Sequence, residues 1–367
     1  MLRLAHVSDL HLGYTSGWLG SMSTQRTAER DRQLSKLVDA ALQCEVHMFL
    51  IAGDLFDRHR PDSSLVQYVL GELRRLQSQG VAVVTVPGNH DEITYHDSVY
   101  RAYADVWPGV LITSPQPAHV ASLSLSDEDV HLYGVAYTGG ITSAEQPLRD
   151  LPRLDLPGFH IAVFHGSLDT RASERSLPLS SDALATAGYD YVALGHYHSF
   201  EHVNKNNTPI VYCGAVEART FDDPGCGKLL VSELRAGEVR LEQMPLPVRL
   251  FRSAEIALGR DLIADISSLA DADLALEVTL RGYGDLEITA KQIEDVLQSS
   301  FYHLSVVDRT ESLPDHVLRD LASERSVRGV FVRRLNDLFQ AAENDNDRNL
   351  ARQALLMGLR AFSEVKQ

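Results

Sequence analysis

The sequence contains few cysteines and few positive charges for its length. Its 367 residues include only three cysteines (Cys44, Cys213 and Cys226), an odd number without the paired spacing of a cysteine metal site. We therefore predict reduced thiols in a cytoplasmic protein. Basic residues number 34 against 50 acidic ones, which leaves a net charge of −16. This balance argues against a protein that coats nucleic acid through a broad basic surface, although an enzyme could still bind a few phosphates locally.

Long hydrophobic runs are missing as well. No uninterrupted apolar stretch approaches the ~20 residues that span a bilayer, so we predict no membrane association. The opening stretch MLRLAHVSDLHLG carries an aspartate and two histidines, which is not the pattern of a signal peptide. Hydrophobic residues make up 44% and charged residues 23% of the chain, which places it among ordinary globular proteins with room for one large domain and one or two smaller ones.

Five short apolar runs carry polar side chains at or near their ends. They are LRLAHVSDLH, HMFLIAGDLFD, VAVVTVPGNHD, FHIAVFHGS and YDYVALGHYH. Helix-like segments near 25–43 and 63–79 separate the first three runs. Strands that alternate with helices predict an α/β layer architecture with largely parallel strands. In such sheets ligands gather at the carboxyl ends of the strands, which is where these polar residues are expected.

The residue types at these strand ends are those of a two-metal site. Aspartate and histidine offer oxygen and nitrogen ligands, and no cysteine is among them. Asp9 and His11 are two positions apart, as are His196 and His198, so each pair points to one side of an extended segment. Each motif alone is common by chance, and a single histidine is more often structural. The five motifs in this order nevertheless predict a metal centre.

The five motifs together resemble the signature of the calcineurin-like metallophosphoesterases, which is D-x-H, G-D-x-x-D, G-N-H-D/E, a single H and G-H-x-H. Within that superfamily the chain is similar to the SbcD and YhaO-type DNA repair nucleases, bacterial counterparts of the meiotic recombination eleven nuclease. This narrower resemblance rests on AHVSDLHLG, GDLFDRHRP, PGNHD, HGS, ALGHYHS and YCGAVEARTFDDPGCGKLLVSEL. The superfamily motifs lie within residues 1–200, and the nuclease resemblance extends to about residue 235.

The resemblance implies a metallophosphoesterase β-sandwich flanked by helices and two bound divalent cations. The residues implied for the first cation are Asp9, His11, Asp54 and His198. Those implied for the second are Asp54, Asn89, His165 and His196. Asp54 would bridge the two, because divalent cations about 3.5–4 Å apart repel each other unless a shared carboxylate screens them. We expect manganese (Mn²⁺), with magnesium as the alternative.

The resemblance also assigns catalytic roles to two residues. His90 would protonate or stabilise the leaving oxygen, and Asp57 would fix the tautomer of His90 and raise its basicity. Asp91 is expected to support this loop rather than to bind metal. Weaker candidates for contacts to phosphates are His59, Arg171, Arg175 and Arg219. For His59 a plain exposed loop is an equal alternative, and His6 falls inside a strand run, where we expect a core or edge residue.

The sequence changes character after residue 245. We predict a nuclease domain at 1–245, a small α+β cap domain at 248–310 and a C-terminal helical segment at 315–367. The cap would help to select DNA ends, or it would be a structural appendage. Two amphipathic helices in the last segment would dock onto an SbcC-like coiled-coil ATPase, or fold back on the cap. The expected anchors are Phe331, Leu335, Leu338 and Leu359.

Taken together, these features predict a metal-dependent DNA exonuclease or endonuclease of DNA repair and recombination, located in the cytoplasm with the nucleoid. A phosphatase or small-molecule phosphodiesterase of the same superfamily is the alternative, and the acidic composition favours it. A scaffold without turnover is disfavoured because every ligand position is filled. We also expect a homodimer through segments 63–79 and 92–106, with Tyr95, Val99, Tyr100 and Tyr103 at the contact unless they pack inside the monomer.

Overall fold

The computed structural model describes residues 1–139, 148, 150–169, 176–223, 225–258, 261–283, 288–311 and 315–364. The candidates Arg171 and Arg175 lie outside the described residues. The chain divides into two compact units, Met1–Val248 and Arg249–Gln367. Among the described residues, no helix has both the length and the apolarity that crossing a bilayer requires.

Two sheets form the framework of the first unit. The first sheet comprises β1 (Leu2–Val7), β2 (Met48–Ala52), β3 (Ala82–Val86), β4 (Val110–Leu111), β12 (Lys228–Arg235) and β13 (Glu238–Pro245). The second comprises β5 (Ala118–Leu125), β6 (Glu128–Gly134), β7 (Phe159–Leu168), β8 (Leu177–Leu179), β9 (Tyr191–Gly195), β10 (Glu201–Lys205) and β11 (Thr208–Tyr212). The strand orders are β13-β12-β1-β2-β3-β4 and β10-β11-β9-β7-β6-β5, with β8 paired to β7.

The strands that carry the sequence motifs are parallel neighbours in these sheets. Strands β1, β2 and β3 pair in parallel in the first sheet, and β7 and β9 pair in parallel in the second. Parallel strands need crossover connections, and helices supply them between the first three strands. The carboxyl ends of the neighbouring strands in each sheet therefore lie at one edge of that sheet.

The sandwich is held by apolar side chains that alternate along each strand. In β1, Leu2 and Leu4 face the core between the two sheets, where they join residues such as Ile161 of the second sheet. Ala5 and Val7 point the other way, into a cluster with the helices. Both faces of the first sheet are thus covered. The structure confirms the predicted fold class of an α/β sandwich flanked by helices.

In the part of the first unit that the structure describes, the helices are α1 (Ser23–Asp31), α2 (Gln33–Gln43), α3 (Ser63–Ser78), α4 (Val99–Ala102) and α5 (Ser181–Ala187), with short 3-10 helices at Gly17–Met22 and Ala104–Val106. The predicted helix near 25–43 is divided into α1 and α2, and that near 63–79 corresponds to α3.

Segment 92–106 contains only short helical turns, and two of the residues offered for a dimer contact are buried in the monomer. Val99 and Tyr100 are buried in the core beneath the first sheet. The Tyr100 hydroxyl donates a hydrogen bond to the buried Asp91 carboxylate over 2.7 Å, which gives the ring a polar partner inside the fold. For these two residues the expected dimer contact was wrong, and the alternative of packing inside the monomer is correct.

The second unit combines a small parallel sheet with helices. Its elements are β14 (Leu250–Ala257), α6 (Leu262–Ser267), β15 (Asp271–Tyr283), α7 (Ala290–Leu297), a short 3-10 helix (Gln298–Ser300), β16 (Phe301–Glu311), α8 (Asp315–Ser323), α9 (Val327–Ala341) and α10 (Asp345–Glu364). The strands pair in the order β14-β15-β16, and both pairings are parallel. Ile266 of α6 and Ile293 of α7 share one apolar cluster with the strands. Helix α7 begins with a capping box formed by Thr289 and Gln292.

In the C-terminal segment, the described residues 315–364 form three helices rather than two. The additional break falls before Ser326, whose hydroxyl accepts a hydrogen bond from the Gly329 N–H and caps α9. Leu359 is buried between the helices, and Phe331 and Leu335 pack against the same cluster. Three of the four expected partner anchors therefore stabilise the helical segment itself. Only the fourth, Leu338, is largely exposed, at 59%.

Candidate metal centre

Polar side chains from five strands or the turns that follow them meet in one place. Asp9 follows β1, Asp54 follows β2, Asn89 follows β3 and His196 follows β9. His165 differs, because it lies inside β7 rather than at its end. The strand continues to Leu168 because its last three residues pair with β8, a segment that becomes adjacent only in the folded chain.

Strained backbone accompanies the predicted ligands. Asp9, His11, Asp54 and His196 have positive φ angles of 54°, 46°, 50° and 108°. Such conformations are uncommon for residues with a side chain, and they persist where the surrounding structure holds them in place for function. The segment that carries Asp9 and His11 is therefore not the extended segment that their spacing predicted, although the ligand atoms of both residues still meet His198.

Two glycines allow the strand ends to approach each other. A Cβ atom at Gly195 would overlap the backbone oxygen of Ala52 and lie 2.9 Å from Nδ1 of His165. A Cβ atom at Gly88 would overlap the Asp54 carboxylate and lie 2.5 Å from the Asp54 backbone nitrogen. Residues with side chains at either position would push the donors apart, which explains why glycine stands before two of the motifs.

One group of donors consists of Asp9, His11 and His198. The Nε2 atoms of His11 and His198 face each other at 3.3 Å, and Nε2 of His198 lies 3.8 Å from Asp9 Oδ1. Asp9 and His11 are fully buried, whereas His198 is partly exposed. One carboxylate and two imidazole nitrogens thus converge on a small volume, as the ligands of a divalent cation do.

A second group surrounds Asn89. Its Oδ1 atom lies 2.9 Å from Nε2 of His165 and 3.1 Å from Nδ1 of His196. Asp54 Oδ2 lies 3.3 Å from the same His165 nitrogen and 3.8 Å from Nε2 of His11. Asp54 therefore stands between the two groups of donors. That is the position which a carboxylate shared by two cations requires.

Hydrogen bonds outside the cluster select the histidine tautomers. Nδ1–H of His165 donates to the Ala52 carbonyl over 2.8 Å, and Nδ1–H of His198 donates to Asp223 over 2.6 Å. In both rings Nε2 is left with a lone pair that points toward the other donors, which is the usual arrangement of metal-binding histidines. This donor chemistry fits a pair of divalent cations.

The charges of Asp54 and His165 depend on each other. Burial disfavours the charged form of each group, but their proximity outweighs burial. Burial alone would raise the pKa of Asp54, and the neighbouring His165 lowers it instead. Burial alone would lower the pKa of His165, and Asp54 raises it to about 9. The site therefore favours an ionised carboxylate together with positive charge beside it, and a cation can supply that positive charge in place of the proton.

His90 lies beside the donors and is about one-third exposed. The ring Nδ1–H of His90 donates to the backbone carbonyl of Asp57 over 3.1 Å. The backbone N–H of His90 donates to Asp54 Oδ1 over 2.8 Å. The Asp57 carboxylate is 3.8 Å from His90 Nδ1 but 3.5 Å from His11 Nδ1. The carbonyl of Asp57, rather than its carboxylate, makes the shorter contact to His90.

Asp91 connects the loops that follow β2 and β3. Its carboxylate accepts hydrogen bonds from the backbone N–H groups of Gly88 and Phe56, at 2.7 and 3.1 Å, in addition to the Tyr100 hydroxyl. Burial, followed by the charge of Asp54, raises the pKa of Asp91 to about 6. Asp91 supports the loop that carries Asn89 and His90.

Two residues at the centre were missed or undervalued by the sequence reasoning. Asp223 binds His198 but belongs to none of the five motifs. Arg219, a weak candidate, places Nη1 3.3 Å from Nε2 of His11. In the sequence, both residues are distinguished only by their place in the run EARTFDDPG. Spacing within that run cannot tell whether Asp222 or Asp223 reaches His198. His59 stacks on Tyr95 at 4.0 Å between ring centroids, in a surface pair of its own.

Three known proteins illustrate what this chain is similar to. The first is a protein of Bacillus subtilis named uncharacterized metallophosphoesterase YhaO, 26% identical over 66% of this chain and 59% of the relative. The DNA double-strand break repair protein Mre11 of Methanopyrus kandleri is 26% identical over 66% of this chain and 56% of the relative. The D component of the nuclease SbcCD of Escherichia coli is 26% identical over 91% of this chain and 92% of that protein. The chain thus spans less than two thirds of the length of the first two relatives.

The family assignment rests on the sheets and the motifs together. A family model described as calcineurin-like phosphoesterase matches residues 2–200, which is more than half of the chain and includes all five motifs. Members of this family bind divalent metals and hydrolyse phosphoesters. The resemblance inferred from the motifs is therefore confirmed at the level of the family. This chain belongs to the calcineurin-like phosphoesterases.

Proposed function

We propose that this chain hydrolyses phosphodiester bonds in DNA and acts in DNA repair. The observation that carries the proposal is the convergence of two donor groups on Asp54, with His90 at their side. The proposed metal ligands are Asp9, His11, Asp54, Asn89, His165, His196 and His198. The two cations, manganese or magnesium, would polarise a water molecule and offset negative charge on the phosphoryl oxygens.

The residues of the chain supply orientation and proton transfer. With Nδ1–H held by the Asp57 carbonyl, His90 can donate a second proton from Nε2 to the leaving oxygen. Its partial exposure lets a substrate reach that nitrogen. The Asp57 carboxylate, which is closer to His11, would hold that ligand in position rather than act on His90 directly.

DNA is supported as the substrate by the relatives rather than by the metal site, since this type of site serves many phosphoesters. A match along 92% of a protein named as part of a nuclease, together with matches to double-strand break repair proteins, favours DNA. The net charge of −16 favours the second candidate, a phosphatase or small-molecule phosphodiesterase. A DNA repair role would place the protein in the cytoplasm with the nucleoid.

Labelled single- and double-stranded DNA, assayed beside p-nitrophenyl phosphate, would separate the two candidates. We expect DNA cleavage that requires manganese and stops with a chelator, and elemental analysis should find two metal ions per chain. The variant Asp54→Ala should lose metal and cleavage together, because the bridging carboxylate is removed. Rapid hydrolysis of the monoester without any cleavage of DNA would overturn the nuclease proposal in favour of the phosphatase.

An SbcC-like coiled-coil ATPase is the proposed partner, and the exposed apolar residues of α9 and α10 are the proposed contact. These residues are Val327, Val330, Leu338, Leu350 and Met357. The double variant Val330→Asp and Leu338→Asp should no longer co-purify with the ATPase but should still cleave short DNA. Retained co-purification would exclude this face.

A homodimer is also proposed, and light scattering that shows a monomer at every concentration would reject it.

A further inference from the structure

A short turn after β11 brings three alternate side chains to the metal centre and its rim. The turn runs from Arg219 to Asp223 and is closed by the Arg219 N–H, which donates to the Asp223 carbonyl over 2.9 Å. Asp223 binds His198, and Arg219 reaches His11. Phe221, between them, contacts Trp18 with the ring centroids 5.1 Å apart. A single turn therefore connects the guanidinium of Arg219, the proposed metal ligand His198 and an aromatic pair.

The guanidinium of Arg219 is held in a fixed orientation. Its central carbon lies 4.8 Å from the centre of the Tyr14 ring, and the guanidinium of Arg30 lies at the same distance from that ring. The carbonyl of Ala218, next to Arg219 in the chain, accepts hydrogen bonds from the buried Arg26 and Arg30. Two buried arginines thus fix the backbone immediately before Arg219. A group held in this way loses little conformational entropy when a ligand binds.

The position of Arg219 fits an anionic ligand. Its guanidinium lies 3.3 Å from Nε2 of His11, beside the place that two divalent cations would occupy. A guanidinium so close to two cations is repelled by them unless negative charge lies between. The carboxylates of Asp9, Asp54, Asp57 and Asp223 supply part of that negative charge, and a phosphate that touches both the metals and Arg219 would add to it. A guanidinium can bind two oxygens of a phosphate at once.

The aromatic pair adds a second recognition element beside this phosphate position. Trp18 lies in the short 3-10 helix Gly17–Met22 and is 39% exposed, which is unusual for the largest apolar side chain. It contacts Phe221, which is two residues from Arg219 and two from Asp223. An exposed aromatic side chain next to a positively charged group that binds phosphate is the arrangement that binds nucleotides by stacking of the base.

We propose that the turn Arg219–Asp223 and Trp18 form a nucleotide subsite of the phosphodiester site. Arg219 donates to a non-bridging oxygen of the phosphate that the metal centre attacks. Trp18, supported by Phe221, stacks on the nucleobase on the non-leaving side of that phosphate. The inference rests on the proposed phosphodiesterase function and adds to it the part of the substrate that is recognised.

Two esters with the same leaving group test the subsite. Thymidine 5′-(p-nitrophenyl) phosphate and methyl p-nitrophenyl phosphate share the phosphodiester and the nitrophenolate, but only the first carries a nucleobase. Both are assayed with the manganese-loaded full-length chain, and bound manganese is measured for every variant. Binding of thymidine 5′-monophosphate is measured separately by calorimetry, because it does not depend on turnover.

Arg219→Gln should lower kcat/KM for both esters by about 10²-fold while bound manganese stays at two per chain, and Arg219→Lys should recover part of the loss. Trp18→Ala should raise KM about ten-fold for the thymidine ester alone and leave the methyl ester unchanged. Trp18→Phe should restore most of the difference, because it keeps an aromatic face. Both Arg219→Gln and Trp18→Ala should bind thymidine 5′-monophosphate more weakly than the parent.

Failure of this inference is distinguishable from failure of the proposed function. If the parent hydrolyses both esters but Trp18→Ala affects them equally or not at all, the base does not stack there and the subsite is refuted. Loss of manganese in Arg219→Gln in proportion to activity would mean that Arg219 only supports His11. If the parent hydrolyses neither ester but binds the nucleotide with the expected variant pattern, the subsite stands and the phosphodiesterase proposal falls.

Discussion

Nδ1 of His198 lies 2.6 Å from a carboxylate oxygen of Asp223, a residue 25 positions further along the chain. Burial on its own would lower the pKa of His198, but the hydrogen bond to Asp223 raises it. The same bond lowers the pKa of Asp223 against the opposing effect of burial. The carboxylate fixes the ring so that Nε2 faces His11, and it makes that nitrogen a stronger donor to a cation.

Replacement of Asp223 by asparagine should weaken metal binding without unfolding the protein. Partners of this kind typically contribute 10–100-fold to metal affinity, so we expect a loss in that range (~10–100-fold) in calorimetric titrations with manganese. Asp222→Asn is the matched control, because Asp222 is exposed and adjacent. Equal affinities for the two variants would show that Asp223 does not support the metal centre.

His90→Ala should separate catalysis from metal binding. We expect bound manganese to remain near the parental level, while DNA cleavage falls by about 10²-fold or more, as loss of a general acid predicts. His96→Ala is the control, since that histidine is 96% exposed. Parental cleavage rates in His90→Ala would contradict the proposed acid role.

Gly195→Ala should disrupt the strand ends that carry the donors. The added Cβ atom would overlap the Ala52 carbonyl oxygen, which is backbone and cannot rotate away. We expect a destabilisation of ~1–3 kcal/mol, as for overpacking of a core, together with weaker metal binding. Urea denaturation with and without manganese measures both effects.

Gly71→Ala is the matched control for that variant. Gly71 lies inside α3, is exposed, and has open space where a Cβ atom would stand. Alanine at such a helical position should stabilise the protein by ~0.5–1 kcal/mol. We therefore expect the two substitutions to change the free energy of unfolding in opposite directions. An increase for Gly195→Ala would contradict the close approach of the strands.

Much of the site could be predicted because its residues are local to strand ends. Asp9 and His11 follow β1 within four positions, and Asn89 and His90 follow β3 just as closely. Apolar runs identify such strands, and parallel order places their ends together. The same reasoning made the sandwich flanked by helices predictable, since each described helix of the first unit lies between two strands in the sequence.

The parts that could not be predicted depend on pairings between distant segments. Asp223 and Arg219 reach the metal centre only because their turn is closed and its preceding backbone is held by Arg26 and Arg30. Strand β7 extends past His165 because β8 pairs with it. In the same way, helical spacing shows that Phe331 lies on an apolar face but not which helix covers that face, and the structure places its ring against Gly358 of α10.

His6 should make the stability of the protein depend on pH in mildly acidic conditions. It is fully buried in β1, and its Nδ1 lies 3.1 Å from the Tyr191 hydroxyl. Burial lowers the pKa of His6 to about 3, whereas in the unfolded chain we expect the ordinary value of about 6.5. Between these values the unfolded chain binds more protons, so the free energy of unfolding falls as the pH falls, by up to ~1.4 kcal/mol per pH unit, and is unaffected above about pH 6.5.

His6→Gln removes this titration and can keep a hydrogen bond to Tyr191. Denaturation in urea with a chelator present, at several pH values from 7.5 to 5, excludes the separate effect of protons on metal binding. The variant should be less stable than the parent at pH 7.5 because the core is disturbed. By pH 5 the difference in free energy of unfolding between the parent and His6→Gln should shrink by ~2 kcal/mol, because only the parent loses stability through protonation of His6. A difference that stays constant across the range would show that His6 does not remain neutral in the folded protein.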